Sequence, residues 1–393
     1  MRTKVKLKGG ISLIVLVITI IVMIILAAAI ILSLSNSGII GKANKAKTDS
    51  DTASLKEYVN TLRAEWELMT DAEQTAEGSF EVYANKKLKK SGYKGAVGTD
   101  GEVYSNLNEN AMAAIRAGIK VGDVVKGYTV EEKTYTTSGE ENTAPNYAET
   151  NPQPNTVTTN TDITWKYLGV NANGELEIMA DFGTTAASAN TNVKLSGKGG
   201  YLKGPDMLNT VCEKLYSVSG VGTARSMNID DVNNILGYTG EKGGYEDHNV
   251  SGYTPTTKAK TIATIESELG KTLKYRTTPD GKDLGTYYSD YYEIDKTGDI
   301  KKMKTPENVE LVFNAKNVYW LASSCVKADY PGSCAYFGVR DVRFFFSVGS
   351  SDMCNSAGNL YKPTYTVRPV VKLDTSVKVE KDANAANTWN ITK

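Results

Sequence analysis

Residues Ile11 to Leu34 read ISLIVLVITIIVMIILAAAIILSL, and the interpretation of the whole chain depends on this stretch. It contains no charged residue. At ~1.5 Å of rise per residue, a helix of this length crosses a hydrocarbon core of ~30 Å. The preceding leader, MRTKVKLKGG, carries only basic charges, which favour the cytoplasmic side of a first membrane span. We therefore expect a transmembrane helix over 11–34, with the N-terminus inside the cell and the C-terminus outside.

Three interpretations of this stretch are open. The first is a cleaved secretory signal, but such signals are shorter and end in small residues, whereas this stretch continues past Ala27-Ala28-Ala29. The second is an uncleaved membrane anchor. The third rests on the junction Lys8-Gly9-Gly10-Ile11, which joins the basic leader directly to the apolar segment.

This junction resembles the processing signal of type IV pilins and pseudopilins. The resemblance implies that a prepilin peptidase cuts between Gly10 and Ile11 and that the cytoplasmic membrane holds the precursor. It also implies that residues 11–72 pack with other pilin-like subunits, at the cell surface or in an extracellular filament. Val15 occupies the position where type IV pilins usually carry Glu. In this respect the chain is similar to pilin-like proteins of Gram-positive anaerobes.

The balance of charge and the scarcity of histidine limit the possible functions. Lys and Arg number 45, and Asp and Glu also number 45, so no global basic field attracts nucleic acid. The single histidine, His248, is expected in an exposed glycine-rich loop. No Ser-His-Asp set, phosphate-binding glycine loop or pair of carboxylates stands out. We therefore expect no enzyme activity, no cofactor and no metal.

Four cysteines indicate possible disulfides. They are Cys212, Cys325, Cys334 and Cys354, and no C-x-x-C motif occurs. An even number of cysteines in an outward-facing protein is typical of disulfide bonding, and four cysteines allow three pairings. We favour a short Cys325–Cys334 bridge and a longer Cys212–Cys354 bridge. Buried, reduced thiols are the alternative.

The order of segments predicts the domain organisation. A basic leader at 1–10 precedes the helix 11–72, and helical pieces at 73–116 connect it to a large domain at 117–376. The large domain contains a polar insertion loop at 131–161, and a tail follows at 377–393. The outer part of the first helix has one apolar stripe at helical spacing, formed by Leu55, Val59, Leu62, Trp66 and Met69.

Several elements of the large domain are predicted from local patterns. Strands at 163–170 and 176–179 flank Asn171-Ala-Asn-Gly174, a tight hairpin signal. Amphipathic helices are expected at 203–218 and 223–237, with Asn228 or Asp230 as the N-cap of the second. A further helix is expected at 262–269.

Three short runs near the C-terminus favour strands and are separated by loops rich in Ser, Gly, Tyr and Asn: 318–323, 337–342 and 367–373. With the early strand 163–170, this order resembles a C-type-lectin-like or formylglycine-enzyme-like domain. The resemblance implies that strands 163–170 and 366–373 are neighbours. The calcium-binding motifs of C-type lectins do not occur here, so no calcium site is implied.

The expected fold class is α+β. A long N-terminal transmembrane and amphipathic helix is followed by a C-type-lectin-like mixed domain with long irregular loops. Residues 324–366 interleave aromatic, Arg and Asn side chains, which are common in binding hot spots. The residues predicted to contact a ligand are Tyr330, Tyr336, Arg340, Arg343, Phe345, Asn355, Asn359, Tyr361 and Tyr365.

The side chains of Arg343-Phe344-Phe345-Phe346 are expected to alternate between faces, with Phe344 and Phe346 together. Packing in the core is an equally weighted alternative to ligand binding for these phenylalanines. The expected function is a cell-surface pilin-like subunit whose head serves adhesion or ligand binding to an unknown protein or glycan. An unprocessed, membrane-anchored binding protein is the alternative. A formylglycine-type enzyme would require copper at Cys325 and Cys334, which we interpret as a structural bridge instead.

Overall fold

The structure is a computed structural model. It describes residues 23, 39–137, 155–182, 191–240, 275–277, 283–288, 293–313, 318–328, 335–343, 346–355, 361 and 363–392. The chain divides into two compact units, Met1–Gly95 and Ala96–Lys393. The region 73–116, expected to be one connecting segment, is thus shared between the two units.

The described part of the first unit is helical, with α1 (Ile39–Glu67), α2 (Asp71–Glu77) and α3 (Phe80–Ser91). Thr70 and Glu73 start α2 with a capping box, in which each side chain accepts a hydrogen bond from the other residue's backbone N–H. Gly92 ends α3 in the left-handed conformation, at φ 75°, which costs glycine little because it has no Cβ.

The apolar stripe predicted on the first helix is buried within this unit. Leu55, Val59 and Leu62 are at most 2% exposed. Trp66 continues the stripe and meets the ring of Phe80 edge-on, with centroids 6.2 Å apart. The start of α3 therefore covers the end of the stripe on α1, as expected for an amphipathic helix.

The second unit combines helices and many strands. Its helices are α4 (Glu109–Arg116), α5 (Gly197–Tyr216), α6 (Ile229–Leu236) and α7 (Val309–Phe313), and short 3-10 helices cover Ile300–Lys302 and Pro306–Asn308. Its strands begin with β1 (Gly95–Val97), β2 (Val103–Ser105), β3 (Val124–Lys126), β4 (Thr134–Thr136), β5 (Thr156–Thr158), β6 (Thr164–Val170), β7 (Leu176–Asp181), β8 (Asn192–Lys194), β9 (Gly222–Ser226), β10 (Tyr275–Thr277) and β11 (Asp283–Tyr288). They continue with β12 (Ile294–Asp295), β13 (Tyr319–Ala328), β14 (Ala335–Arg343), β15 (Ser347–Asn355), β16 (Thr364–Val367), β17 (Pro369–Leu373), β18 (Lys378–Lys381) and β19 (Thr388–Thr392).

Two large mixed sheets organise this unit. One has seven strands in the order β18-β19-β3-β6-β7-β17-β9, and the other has six in the order β12-β15-β14-β13-β16-β8. Helix α5 contacts β9 and β17 of the first sheet and β13, β14 and β15 of the second. Leu208, Val211 and Leu215 of α5 are fully buried in this core.

One segment passes from the six-stranded sheet to the seven-stranded sheet at Arg368, between β16 and β17. Arg368 is 2% exposed. Its Nε donates to the carbonyl of Ala180 at 2.8 Å, and its Nη1 donates to the hydroxyl of Tyr319 at 3.0 Å. A buried guanidinium needs such acceptors, so these bonds fix the crossing point.

The local predictions for the first hairpin and for one helix cap are confirmed. Strands β6 and β7 pair antiparallel, and Gly174 in their turn has φ +73°. Asn228 caps α6, and its side chain accepts from the N–H of Asp231. The predicted helix start at 223–226 is wrong, because these residues form the edge strand β9 against β17.

The lectin-like prediction is contradicted by the order of strands. It requires strands 163–170 and 366–373 to be neighbours, but β7 lies between β6 and β17. Tyr167 of β6 faces Ile178, and Val370 of β17 faces Met179. Strand β7 is buried along its whole length, which suits a central position.

The prediction of a transmembrane helix is also corrected for the described part of the chain. No helix there is long and apolar enough to cross a membrane. Residues 11–34, on which the prediction was based, lie outside the described residues apart from Met23. The expected fold class is therefore replaced by a first unit whose described part is helical and a second unit built on two large mixed sheets with smaller two-stranded sheets.

The predicted insertion loop and the predicted C-terminal tail both contribute strands. The insertion loop 131–161 contains β4 and β5, which pair antiparallel, while residues 138–154 lie outside the described residues. The tail 377–393 supplies β18 and β19 of the seven-stranded sheet. Trp389 is 1% exposed there, and its Nε1 donates to Asp123 at 2.9 Å. The helix predicted at 262–269 lies outside the described residues.

Candidate functional site

The residues predicted to bind a ligand do not form one exposed surface in the described part of the chain. Tyr330, Phe345 and Asn359 lie outside the described residues. Arg340, in β14, is 1% exposed, so its burial contradicts a role as an exposed ligand contact. Side chains of β14 point alternately to the two faces of the sheet, and residues 337–342 are all buried. Both faces of the strand are therefore covered at Arg340.

Tyr365 belongs mainly to the core. Its ring lies against Trp320, with centroids 4.6 Å apart, and its hydroxyl is 3.0 Å from that of Ser351. Two other predicted residues, Tyr336 and Asn355, face each other in the β14–β15 pair. Tyr361 is 37% exposed.

Arg343 is held by its neighbours. Its Nε donates to Asp341 at 2.9 Å, and its Nη2 donates to the carbonyl of Ser350. Asp341 is fully buried, and burial raises the pKa of its carboxyl while Arg343 lowers it. Arg343 pairs with this buried carboxylate and therefore stabilises the C-terminal end of β14.

The predicted phenylalanine face is only partly described. Phe346 is 41% exposed and has φ +62°, and the ammonium of Lys296 lies 3.8 Å from its ring centroid. Phe344 lies outside the described residues. The predicted pairing of Phe344 with Phe346 therefore remains a prediction.

The predicted Cys212–Cys354 bridge is not formed. Cys212 is a free thiol, fully buried in α5, and this burial raises the pKa of its thiol. Cys325 is 1% exposed in β13. Cys334, the second member of the other predicted bridge, lies outside the described residues, as does His248.

A cavity of about 360 Å³ in the second unit is the candidate binding site, and we call it the hairpin cavity. Four separate parts of the chain line it: the β1–β2 hairpin (98–104), the end of α4 with the loop that follows (115–121), β6 (167–169), and Asn234 of α6 with the 3-10 helix region (305–308). Its size falls in the range of small-molecule sites, about 300–1,000 Å³.

The hairpin wall is built around Asp100. The hydroxyl of Tyr104 donates to Asp100 Oδ2 at 2.6 Å, and the N–H of Glu102 donates to Oδ1 at 3.0 Å. A Cβ at Gly98 would lie 2.7 Å from the Tyr104 ring, so only glycine permits this close approach. Burial and the charge of Asp100 both raise the pKa of Tyr104, which keeps its hydroxyl neutral.

The inner wall is apolar except for one hydroxyl. Ile115 and Ile119 are each 3% exposed, and Tyr167 is 5% exposed. Within the described residues, the Tyr167 hydroxyl makes no hydrogen bond. Burial raises the pKa of Tyr167, and the charges of Asp100 and Glu177 add to the effect. The cavity lining therefore includes the neutral Tyr167 hydroxyl, which can donate and accept a hydrogen bond and has no partner within the described residues.

The opposite wall is anchored to α6. Thr305 Oγ1 and Asn308 Nδ2 both donate to the carbonyl of Ile235, the latter at 3.2 Å. The N–H of Thr305 donates to the carbonyl of Leu236 at 3.2 Å. Glu307 lies between these anchored residues and is exposed. The wall therefore presents polar side chains from a fixed backbone.

A second polar cluster joins β7, β9 and α6. Arg225 donates to Asp231 through Nη1 at 2.6 Å and through Nη2 at 2.7 Å. The same guanidinium donates to Glu177 from Nη2 at 3.0 Å. Burial raises the pKa of Glu177, against the lowering effect of Arg225. These ion pairs tie helix to sheet, so we interpret the cluster as structural.

The acidic residues do not form a metal site in the described part of the chain. No group of three or more His, Cys, Asp or Glu side chains there is arranged to hold a metal ion. The hairpin cavity contains Asp100 and Glu307 on different walls. Its lining also includes Lys120, so charged, polar and apolar side chains surround the cavity.

The sequence contained only a faint signal of this cavity. Asp100-Gly101 marked a turn, and Tyr104 follows four residues after Asp100. Nothing in the sequence connected this hairpin with Tyr167 or with 305–308. Tyr167 and residues 305–308 line one cavity with the hairpin only because β6 and the segment before α7 both lie next to that hairpin in the fold.

Comparison of the chain with protein-family models, with curated proteins and with solved structures gave no match.

Proposed function

We propose that this chain is a pilin-like subunit that is cut after Gly10 and presents its Ala96–Lys393 unit as a ligand-binding head at the cell surface. The observation that carries the proposal is the junction Lys8-Gly9-Gly10-Ile11, where a purely basic leader meets a long uncharged segment. A glycine at the cleavage point leaves the backbone open to a peptidase because it has no side chain.

The partners follow from this proposal. A prepilin peptidase acts on the precursor at the cytoplasmic membrane, and other pilin-like subunits associate through residues 11–72. The absence of a glutamate at position 15 removes one possible charge contact between subunits. Apolar packing along the segment is then the main source of association.

The binding role is supported by the character of the second unit. It holds a cavity of about 360 Å³ whose walls come from strands and anchored turns. Sites on such a scaffold keep their side chains in place. The charge balance of the chain, 45 against 45, also favours a ligand other than a polyanion.

The processing step can be tested with paired glycine variants. The full chain is co-expressed with a prepilin peptidase, and its N-terminus is sequenced. We expect cleavage between Gly10 and Ile11 in the parent chain, loss of cleavage in Gly10→Ala, and retained cleavage in the matched control Gly9→Ala. A parent chain that keeps Met1 in the presence of an active peptidase contradicts the proposal.

A further inference from the structure

We propose that the hairpin cavity binds one unit of a neutral saccharide. This inference deepens the proposed function by naming the ligand class and the place of binding, and it rests on the head being a binding unit. It starts from the lining of the cavity, where apolar side chains lie beside uncharged polar side chains and three charged ones, Asp100, Lys120 and Glu307, around a space of about 360 Å³.

The Tyr167 hydroxyl is the first reason to expect a ligand. It belongs to a residue that is 5% exposed, lines the cavity, and makes no hydrogen bond within the described part of the chain. The hydroxyl oxygen is not among the fully enclosed side-chain atoms that lack a partner in the described residues, so it is open to the cavity. A ligand hydroxyl placed in the cavity can supply the missing hydrogen bond.

The composition of the walls selects the ligand class. Tyr104, Ile115 and Ile119 offer aromatic and aliphatic surface, and Asn234 offers an amide group. Thr305 Oγ1 and Asn308 Nδ2 already donate to the carbonyl of Ile235, so these two side chains offer their oxygen atoms as acceptors. A sugar has the matching combination, because its ring presents a C–H face and its hydroxyls both donate and accept. Aromatic residues with a polar tip suit such mixed surfaces.

Charge argues against the other small ligands. The lining has one cation, Lys120, and two carboxylates, Asp100 and Glu307, so an anion such as phosphate finds no cluster of positive charge. Asp100 accepts from Tyr104 and from the N–H of Glu102, and Lys120 offsets the charge of one of the two carboxylates. A cationic amine therefore meets one excess negative charge in the lining, not two. A neutral polyol remains the best match.

The test measures binding to the full chain by isothermal titration calorimetry. The probes are glucose, galactose, N-acetylglucosamine and N-acetylgalactosamine, with putrescine as a cation and inorganic phosphate as an anion. We expect at least one neutral sugar to bind and both charged probes to fail. Failure of all four sugars, or binding of only a charged probe, overturns the proposal.

Variants then locate the site. Tyr167→Phe removes only the unpaired hydroxyl, and we expect it to weaken sugar binding by about threefold to tenfold, the effect of one neutral hydrogen bond. The matched control Tyr58→Phe removes a hydroxyl in the first unit and should leave binding unchanged. Tyr104→Ala removes the hairpin ring and should weaken binding more strongly than Tyr167→Phe.

Circular dichroism melting identifies any variant that does not fold, and Tyr167→Phe alone suffices for the conclusion if Tyr104→Ala unfolds. Sugar binding that is unaffected by Tyr167→Phe places the site elsewhere and overturns the proposal. This result is distinguishable from failure of the proposed function, because cleavage after Gly10 is measured on the same chain independently of any sugar.

Discussion

Replacing Arg225 with leucine tests whether the cluster of Arg225, Glu177 and Asp231 stabilises the second unit. The guanidinium is 30% exposed, whereas the carboxylates of Glu177 and Asp231 are 9% and 8% exposed. Without the cation, both carboxylates remain buried and face like charge. Breaking a buried ion pair in this way costs about 3–5 kcal/mol.

The lower end of this range applies here. Arg225 is partly exposed, so water screens some of its attraction. Asp231 also keeps one donor, the N–H of Asn228 at 2.8 Å, and Glu177 bears most of the loss. We therefore expect the free energy of unfolding to fall by about 3 kcal/mol at pH 7.

The pH dependence provides a second readout. Burial already raises the pKa of Glu177 above its ordinary value of 4.5, and Arg225 opposes that rise. In Arg225→Leu the pKa of Glu177 rises further. Because a raised pKa means that the folded state binds the proton more tightly, stability falls as pH rises through the folded pKa. The deficit of the variant should therefore shrink as pH is lowered from 7 toward 4.5.

The assay is urea unfolding of the full chain, followed by tryptophan fluorescence at several pH values. Lys372→Met is the matched control, since it removes a cation 42% exposed that lies 3.4 Å from Glu175. Such exposed pairs contribute about 0–1 kcal/mol. A loss below about 1 kcal/mol in Arg225→Leu, or a deficit that does not change with pH, would refute the reasoning.

Three further predictions concern single sites. Tyr128→Phe leaves the last carbonyl of α5 without the hydroxyl that donates to it at 2.7 Å, so thermal unfolding should show a loss of about 1–3 kcal/mol; an unchanged melting temperature contradicts this. In Gly174→Ala, the new Cβ adds a clash with the carbonyl of Asn106 to the strain of φ +73°. Its control is Gly220→Ala, where φ is +66° and nothing lies near the new Cβ, so the free energy of unfolding of that control should fall by about 1–2 kcal/mol. Gly174→Ala should lose more than the control, and equal losses argue against the clash. The thiol of Cys212, fully buried and with a raised pKa, should resist iodoacetamide until urea unfolds the chain, and rapid labelling at pH 8 without urea contradicts its burial.

Local structure was predictable where a few neighbouring residues determine it. The turn at 171–174 fixed the β6–β7 hairpin, and Asn228 capped α6 because its side chain accepts from a backbone N–H three residues later. The stripe of Leu55, Val59 and Leu62 was predictable because helical spacing puts these residues on one face. Each of these interactions lies within about two turns of helix or one hairpin.

The order of strands was not predictable in the same way. A run of alternating or continuous apolar residues indicates a strand but does not identify its neighbours. Strand β7 lies between β6 and β17 in the interior of the sheet, and it is buried along its whole length. The resemblance to a lectin-like domain rested on the order of strands along the chain, which does not determine their order in space.

The candidate site illustrates the same limit. Aromatic and Arg side chains in 324–366 fitted both an exposed surface and a packed layer, and Arg340 and Tyr365 proved to be packed. The hairpin cavity instead draws on four separate segments. Asp100 and Tyr167 are far apart in sequence, so only the fold of β6 against the hairpin brings them to one cavity.

The most direct measurement for the proposed function is the N-terminal sequence of the mature protein, isolated from the cells that produce it. The account predicts a chain that begins at Ile11 and lacks the basic leader. A mature chain that still begins at Met1 would contradict it.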